Sequence, residues 1–397
     1  MSSTEIAWRT VNPSGSRRVV VTKELPGERW LALLVAAGCR VEIVQGEEVL
    51  GEGALAAAMG AHVDAVIGQL TESWSAQTLA ALAAAGGRIY SQYAVGHDNV
   101  DVAAATRLGL PVGNTPGVLT EATAELAVAL TFAAARRLGE GERLMREGAY
   151  HGWLPGLLLG RLLERGTLGI VGAGRIGAAY ARMLVEGHKM DLLYYDVREN
   201  AELEEYVAAY SAFLTTRGER PVGCRRAASL EELLGASDVV SIHAALSAAT
   251  RRLIGAPQLA LMKEDAVLVN ASRGALLDES ALVAHCRAHP AFRVGLDVYE
   301  DEPAMAAGLA ELDNVVLVPH LGSATTFTRE GMATLAAANV VAILAGRPVW
   351  PPAGGLADVL PFLEGEAPPQ VAPSIVNAAA LGLPRLPAPA PSGKERS

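Results

Sequence analysis

Thr167-Leu168-Gly169-Ile170-Val171-Gly172-Ala173-Gly174-Arg175-Ile176-Gly177 opens a segment that continues through an apolar helical run, Ala178 to Val185, into Leu192-Leu193-Tyr194-Tyr195-Asp196. It reads as strand, glycine turn, helix, strand and acid. The G-x-G-x-x-G spacing of Gly172, Gly174 and Gly177 is weak alone, because glycines are common in turns; the flanking elements give it meaning. Gly172 makes the tight turn, Gly174 lets the backbone approach a pyrophosphate, and Gly177 lets helix pack on strand. The exposed N–H groups of the helix start then hold the anion. Asp196, 19 residues beyond Gly177, stands where an acid accepts hydrogen bonds from adenosine ribose hydroxyls. The stretch predicts a dinucleotide-binding βαβ unit, against the bland alternative of an ordinary βαβ turn.

Composition bounds what surrounds it. A chain of 397 residues exceeds one ordinary core, so two domains are expected. Hydrophobic residues make up 51% and charged residues 19%, which suits Ala-rich helices covering a sheet. A net charge of −10 offers no basic surface for nucleic acid or anionic lipid. No apolar run reaches the roughly 18 residues a membrane span needs. Cys39, Cys224 and Cys286 never stand in C-x-x-C spacing, so reduced thiols and no metal site are expected. With Glu5 and no apolar signal core at the N-terminus, the reading is a soluble intracellular protein.

Outward from the glycine turn, short apolar runs alternate with helical ones. Residues 18–22, 41–44, 65–68, 88–91 and 110–114 read as buried strands, with helices near 29–37, 75–85 and 102–108 between them. Residues 1–16 read as a loosely held polar arm. A long apolar helix is expected from Thr120 to Arg137. Strands at 239–243, 266–270, 293–297 and 314–318 continue the second domain, with an insertion at about 200–223 holding a helix from Ala201 to Leu214. A helix from about Ser323 to Leu344 leads back towards the first domain. The predicted fold is α/β: two Rossmann-like, doubly wound parallel-sheet domains, one inserted into the other, which is split and flavodoxin-like. The boundaries are 1–119 with 325–382 for the substrate domain, 120–324 for the dinucleotide domain, and 383–397 for a disordered tail.

Three second-domain strands end in chemistry. Asn270-Ala271-Ser272-Arg273-Gly274 supplies an arginine, Asp297-Val298-Tyr299-Glu300-Asp301-Glu302-Pro303 supplies acids, and Pro319-His320-Leu321-Gly322 supplies a histidine. A guanidinium binds a carboxylate in bidentate fashion and polarises an adjacent carbonyl. A histidine held by a carboxylate delivers a proton near neutral pH. Each residue has an ordinary alternative: a surface arginine, a core histidine, a solvated acidic turn. All three at successive strand ends of one dinucleotide fold point to reduction of a 2-keto acid, since ligands bind at those ends.

These runs resemble the D-isomer-specific 2-hydroxyacid dehydrogenases, and within that family the plant-type NADH-dependent hydroxypyruvate reductases. The resemblance covers nearly the whole chain to about residue 382. It rests on Ala94-Val95-Gly96, Asn114 to Glu121, Gly152-Trp153-Leu154-Pro155, Gly172 to Met183, Asn270 to Gly274, Arg293 to Pro303, Thr328 to Thr334 and Pro373 to Asn377. It implies that Arg273 binds the substrate, that His320 is the acid/base and that Glu302 is its partner. It implies that Val95 and Gly96 offer backbone N–H groups to the carboxylate from the other wall of a cleft. Asp297 is implied at the nicotinamide carboxamide. Thr120, His243, Ala244, Ala245, Ala271, Ser272 and Gly322 are implied to line the rest of the cofactor site. Trp153 resembles a tryptophan that reaches a substrate pocket, a neighbouring subunit's included, with a buried anchor as the alternative. NAD(H) is the cofactor implied, NADP(H) the alternative because Arg198 follows Asp196. A small 2-keto acid is the substrate and a homodimer the expected assembly.

Departures are specific. Ala245 stands where many relatives have proline, and His97 stands in the substrate loop. The chain ends Lys394-Glu395-Arg396-Ser397 and not Ser-Lys-Leu, so peroxisomal import by that signal is not expected. Formate dehydrogenases of this architecture carry glutamine at the histidine's partner, which Glu302 argues against. Glyoxylate- and phosphoglycerate-type dehydrogenases remain as alternatives, and so does a dinucleotide-sensing corepressor-like protein.

Overall fold

The structure, a computed structural model, describes residues 6–351, 353–365 and 370–386. The chain forms two compact units, Met1–Leu119 with Thr325–Ser397, and Thr120–Ala324 between them in sequence. Among the described residues no helix is long and apolar enough to cross a membrane.

The first unit carries β1 (Trp8–Val11), β2 (Arg17–Val21), β3 (Cys39–Val44), β4 (Ala65–Gly68), β5 (Ile89–Gln92) and β6 (Val112–Gly113) in the order β1-β3-β2-β4-β5-β6. Leaving β1 aside, the strands are parallel and follow the flavodoxin-like order 2-1-3-4-5. Helices cover both faces, so Val19, Val20, Val21, Val66 and Ile67 are wholly buried, which is why these strands read as unbroken apolar runs. Helix Thr326–Leu344 belongs to this unit, packed on β4, β5 and helix Arg29–Ala36. It is apolar all round: Leu335 to Val340 are fully buried, Asn339 among them. Asn339 stays there because its Nδ2 donates to Asn114 O and its Oδ1 accepts from Ser374 N–H, both in the same unit.

The second unit carries β7 (Thr167–Val171), β8 (Asp191–Tyr195), β9 (Cys224–Arg226), β10 (Val239–Ile242), β11 (Val267–Asn270), β12 (Arg293–Leu296) and β13 (Val315–Leu317). The order is β13-β12-β11-β10-β7-β8-β9, parallel throughout. This is the doubly wound order 3-2-1-4-5-6 extended by a seventh strand, with its reversal between β7 and β10. Asp238 anchors the N-terminal edge: its carboxylate accepts from Thr167 N–H at 2.7 Å and pairs with Arg161 and Lys263.

The structure corrects four expectations. Residues 8–11 are not a loose arm but β1, an antiparallel edge strand on β3. Backbone pairing supplies that strand's order while its side chains stay in solvent, so no apolar run announced it; residues 1–5 lie outside the described residues. The helix from Thr120 ends at Ala135, because Arg137 takes a left-handed φ of 54° and starts a second helix, Leu138–Arg146. The insertion's helix runs over Ala201–Thr216, capped by Asn200 and longer than expected, and directly after the insertion comes β9, a strand the sequence reading did not include. The tail is ordered as far as it is described. Val349 donates to Pro384 O and accepts from Leu386 N–H, so residues 384–386 run beside it. The remaining tail expectation, 387–397, lies outside the described residues.

Candidate functional site

The glycine turn connects β7 to helix Arg175–His188. Gly172 has φ +95°, and a Cβ there would meet the backbone of His243 and Ala244 at under 3 Å, so the loop after β10 lies directly against the turn. Gly177 faces the Gly172 carbonyl, where a Cβ would collide with the oxygen. Gly174 differs from both. Its φ of −73° suits any residue, and a Cβ there would meet nothing within 4 Å. Gly174 is also the helix N-cap and brings no side-chain cap to the first turn. The protein itself therefore demands glycine at 172 and 177, whereas at 174 glycine keeps open the space before the helix N-terminus. Space of that kind before a helix N-terminus is able to take a phosphate group.

Asp196 closes the other side of the turn. One carboxylate oxygen accepts from Ala173 N–H at 2.8 Å and the other from Arg198 N–H at 3.0 Å. Asn200 Nδ2 donates to Ala173 O at 2.7 Å. Arg226, at the end of β9, donates to the Asp196 carbonyl from Nε and Nη2, at 3.1 and 2.7 Å. Sequence reading missed Arg226, because only the strand order places β9 beside β8. His243 packs its ring on Tyr180, with centroids 5.0 Å apart, and shares a 2.8 Å hydrogen bond with Ser241. Burial pushes its imidazole down to about 3, so it is neutral at physiological pH. Ser272 donates its hydroxyl to Ala244 O at 2.7 Å, tying the loops after β10 and β11 together. Thr120 begins helix Thr120–Ala135, and Thr123 one turn on lies beside Gly322. Ala271 is buried at the end of β11.

Arg273, Glu302 and His320 follow β11, β12 and β13, three adjacent parallel strands, so all stand at one edge of one sheet. The Arg273 carbonyl accepts from Asn270 Nδ2 and its Nη1 donates to Ser272 O, both at 2.8 Å. His320 Nδ1 lies 2.9 Å from Glu302 Oε2, the side chains being 29% and 26% exposed. Glu302 Oε1 accepts from Tyr299 N–H at 3.0 Å. Burial works against ionisation of Glu302. The hydrogen bond and charge of His320 outweigh it, helped by Tyr299 N–H and Arg273, and hold the carboxyl below the ordinary range.

His320 has φ +54°, uncommon for a residue with a Cβ and costing of order 1 kcal/mol. The surroundings impose it. Asp297, 1% exposed, accepts His320 N–H on its carbonyl at 2.9 Å. Its carboxylate takes Leu321 N–H at 2.5 Å and Gly322 N–H at 2.8 Å. Burial raises the Asp297 carboxyl above the ordinary range, with the Glu302 charge adding and the two N–H groups and His320 opposing. The resemblance implies Asp297 at the cofactor; the structure shows it holding the histidine loop. Glu279, 3% exposed, was missed. Its two oxygens accept from Glu300 N–H and Ala306 N–H, pinning both flanks of the loop that carries Glu302.

The remaining candidates lie elsewhere. Val95 and Gly96, in the first unit, follow β5; Val95 O accepts from Asn114 Nδ2 at 3.0 Å, and His97 Nδ1 is 3.4 Å from the same oxygen. Ala245 is exposed, and its carbonyl accepts from Thr250 Oγ1. Trp153 is 79% exposed, so within this chain it is not a buried anchor. The three cysteines are free, and burial pushes each thiol up.

The chain is similar to known proteins over most of its length. Residues 128–322 match the family profile described as "D-isomer specific 2-hydroxyacid dehydrogenase, NAD binding domain". The chain is 52% identical over 381 residues to the "Glycerate dehydrogenase HPR, peroxisomal" of Arabidopsis thaliana, covering 96% of this chain and 98% of that protein. It is 44% identical over 264 residues to the glyoxylate reductase of Thermococcus litoralis, covering 65% and 74%. The crystal structure of the TT0316 protein from Thermus thermophilus superposes with a TM-score of 0.72 at 38% identity, covering 83% of this chain and 97% of that one.

Proposed function

The chain belongs to the D-isomer-specific 2-hydroxyacid dehydrogenases, NAD(P)-dependent oxidoreductases, and from that premise we propose that it reduces hydroxypyruvate to D-glycerate with NADH, and glyoxylate more slowly. The observation that carries the reading is the His320–Glu302 pair standing beside Arg273 at one sheet edge.

The open space before Gly174 and the uncapped helix start fit a dinucleotide pyrophosphate, held by Gly172 to Gly177 with Arg175 and Ile176. Asp196 would take the ribose hydroxyls. Thr120, His243 to Ala245, Ala271, Ser272, Asp297 and Gly322 would line the remainder. When bound, the reduced cofactor supplies the hydride that reaches the substrate's carbonyl carbon. The chain's own residues do the rest. Arg273 grips the substrate carboxylate and polarises its carbonyl. His320 engages Glu302 through Nδ1 and delivers its proton from Nε2 to the forming alkoxide. Glu302 keeps the imidazolium charged until that step and then holds the neutral ring in orientation. Asp196 repels a 2′-phosphate, which favours NADH, while Arg198 and Arg226 temper the repulsion.

The test is oxidation of NADH and of NADPH with hydroxypyruvate, glyoxylate, pyruvate and phosphohydroxypyruvate in parallel. The highest kcat/KM is expected for NADH with hydroxypyruvate. A preference for NADPH would overturn the role given to Asp196, and no turnover with any pair would leave a dinucleotide-sensing binding protein as the reading.

Between Leu138 and Leu162 the second unit exposes Leu138, Met145, Trp153, Leu154, Leu159 and Leu162, a density of apolar side chains that isolated surface residues do not reach. A second copy of the chain is the proposed occupant. Light scattering should give twice the chain mass, and Leu159→Glu with Leu162→Glu should return it to one. A wild-type monomer would refute the assembly without touching the chemistry.

A further inference from the structure

Tyr299 is tied to all three strand ends of the candidate site. Its N–H donates to Glu302 Oε1 at 3.0 Å. Its hydroxyl donates to Val318 O at 2.9 Å, on the segment that leads to His320. The same Val318 carbonyl accepts His320 N–H at 3.2 Å. Behind it, Gly274 packs so close to the Tyr299 carbonyl that a Cβ at 274 would overlap it, which sets the residue after Arg273 against the same backbone. Glu279 holds the next N–H, that of Glu300, so the loop cannot drift from Tyr299 without losing a part-buried hydrogen bond.

We propose that Tyr299 is the positioning residue of the site, its hydroxyl fixing the His320 segment against the carboxylate that its own N–H orients. The proposal rests on the assignment of His320 and Glu302 as the proton-delivering pair. Tyr299 does not touch the reacting atoms; it acts through those two. Its phenol suits the task. Burial, with the charges of Asp297, Glu302 and Glu279 adding, pushes it up to about 12, so it remains a donor at any assay pH. One residue is thus bonded both to the Glu302 carboxylate and to the carbonyl that supports His320. Without that hydroxyl, a left-handed histidine backbone keeps Asp297 but loses the link that registers it to Glu302.

Tyr299→Phe tests this, because phenylalanine retains the N–H and the ring that packs on Tyr299's apolar neighbours. The kcat for hydroxypyruvate reduction is expected to fall roughly three- to tenfold, the range one lost hydrogen bond spans. The NADH dissociation constant should not change. The alkaline fall of the reduction profile should move to lower pH, because a looser Glu302 contact stabilises the imidazolium less. The charged groups packed around that pair are Asp297 and Arg273, with Glu279 behind them, and the substitution alters none of these side chains. A lowered melting temperature with wild-type kcat and pH profile would make Tyr299 merely structural and overturn the proposal. His320→Ala, assayed alongside, separates the two failures. Full activity there would overturn the assignment of His320, and this proposal with it; an inactive His320→Ala beside a wild-type Tyr299→Phe overturns this proposal alone.

Discussion

His320→Ala is expected to lower kcat for hydroxypyruvate reduction roughly 10²–10⁴-fold, the usual contribution of a positioned acid or base, with NADH binding intact. The separation is topological. His320 follows β13 at one end of the sheet order, whereas the glycine turn and Asp196 follow β7 and β8 beyond the reversal. Stopped-flow reduction and a fluorescence titration with NADH read the two quantities independently. Loss of NADH binding would mean that the imidazole holds the loop and not the proton.

The same pair sets a pH dependence. Glu302 is held below the ordinary carboxylate range in the folded protein. A depressed carboxylate adds its stabilisation above its unfolded pKa and loses it as pH falls through the lower folded value. Near neutrality Glu302 is therefore charged, and its charge favours the imidazolium. Reduction needs that proton, so its rate falls as pH rises; oxidation of D-glycerate needs the neutral ring, so its rate falls as pH drops. Glu302→Gln removes the charge and should move both limbs to lower pH, which costs reduction most at alkaline pH. Limbs that stay in place would assign the titration to another group.

How far the sequence reaches can be argued from these residues. Parallel strands covered on both faces produce runs such as Val19-Val20-Val21 and Val267-Leu268-Val269, and those runs carry the fold in their own composition. β1 carries no such mark, because only one edge of it is paired and its side chains face water. Arg273, Glu302 and His320 stood out because each ends a strand, yet their spacing along the chain does not say that Glu302 meets His320. That pairing depends on β12 and β13 being neighbours, and it came from the resemblance. Contacts made by backbone atoms were illegible altogether. Asp297 holding Leu321 and Gly322, Glu279 holding Glu300 and Ala306, and Tyr299 reaching Val318 are all side chains bonded to main chain far along the sequence. The partner in such a bond has no residue type to recognise.

The glycine turn separates what the fold requires from what a ligand requires, and substitution at two of its positions should split them. Gly177→Ala places a methyl group against the Gly172 carbonyl, at the point where helix Arg175–His188 docks on β7. The helix must shift, so both the melting temperature and NADH affinity should fall, the latter at least about 100-fold if even one pyrophosphate contact of about 3 kcal/mol is lost. Gly174→Ala meets no protein atom within 4 Å and keeps a φ that alanine accepts. Its melting temperature should equal that of the wild type or exceed it slightly, since alanine narrows the unfolded ensemble. Its NADH dissociation constant should nevertheless rise at least about tenfold, because the methyl group stands where the pyrophosphate approaches the helix N-terminus. Calorimetry with and without NADH reads both quantities on the same samples. If Gly174→Ala binds NADH as the wild type does, the space in front of Gly174 is not the phosphate site, and the dinucleotide must enter the sheet edge elsewhere. If it is instead as unstable as Gly177→Ala, glycine at 174 serves the fold, and the open cradle is no evidence for a ligand.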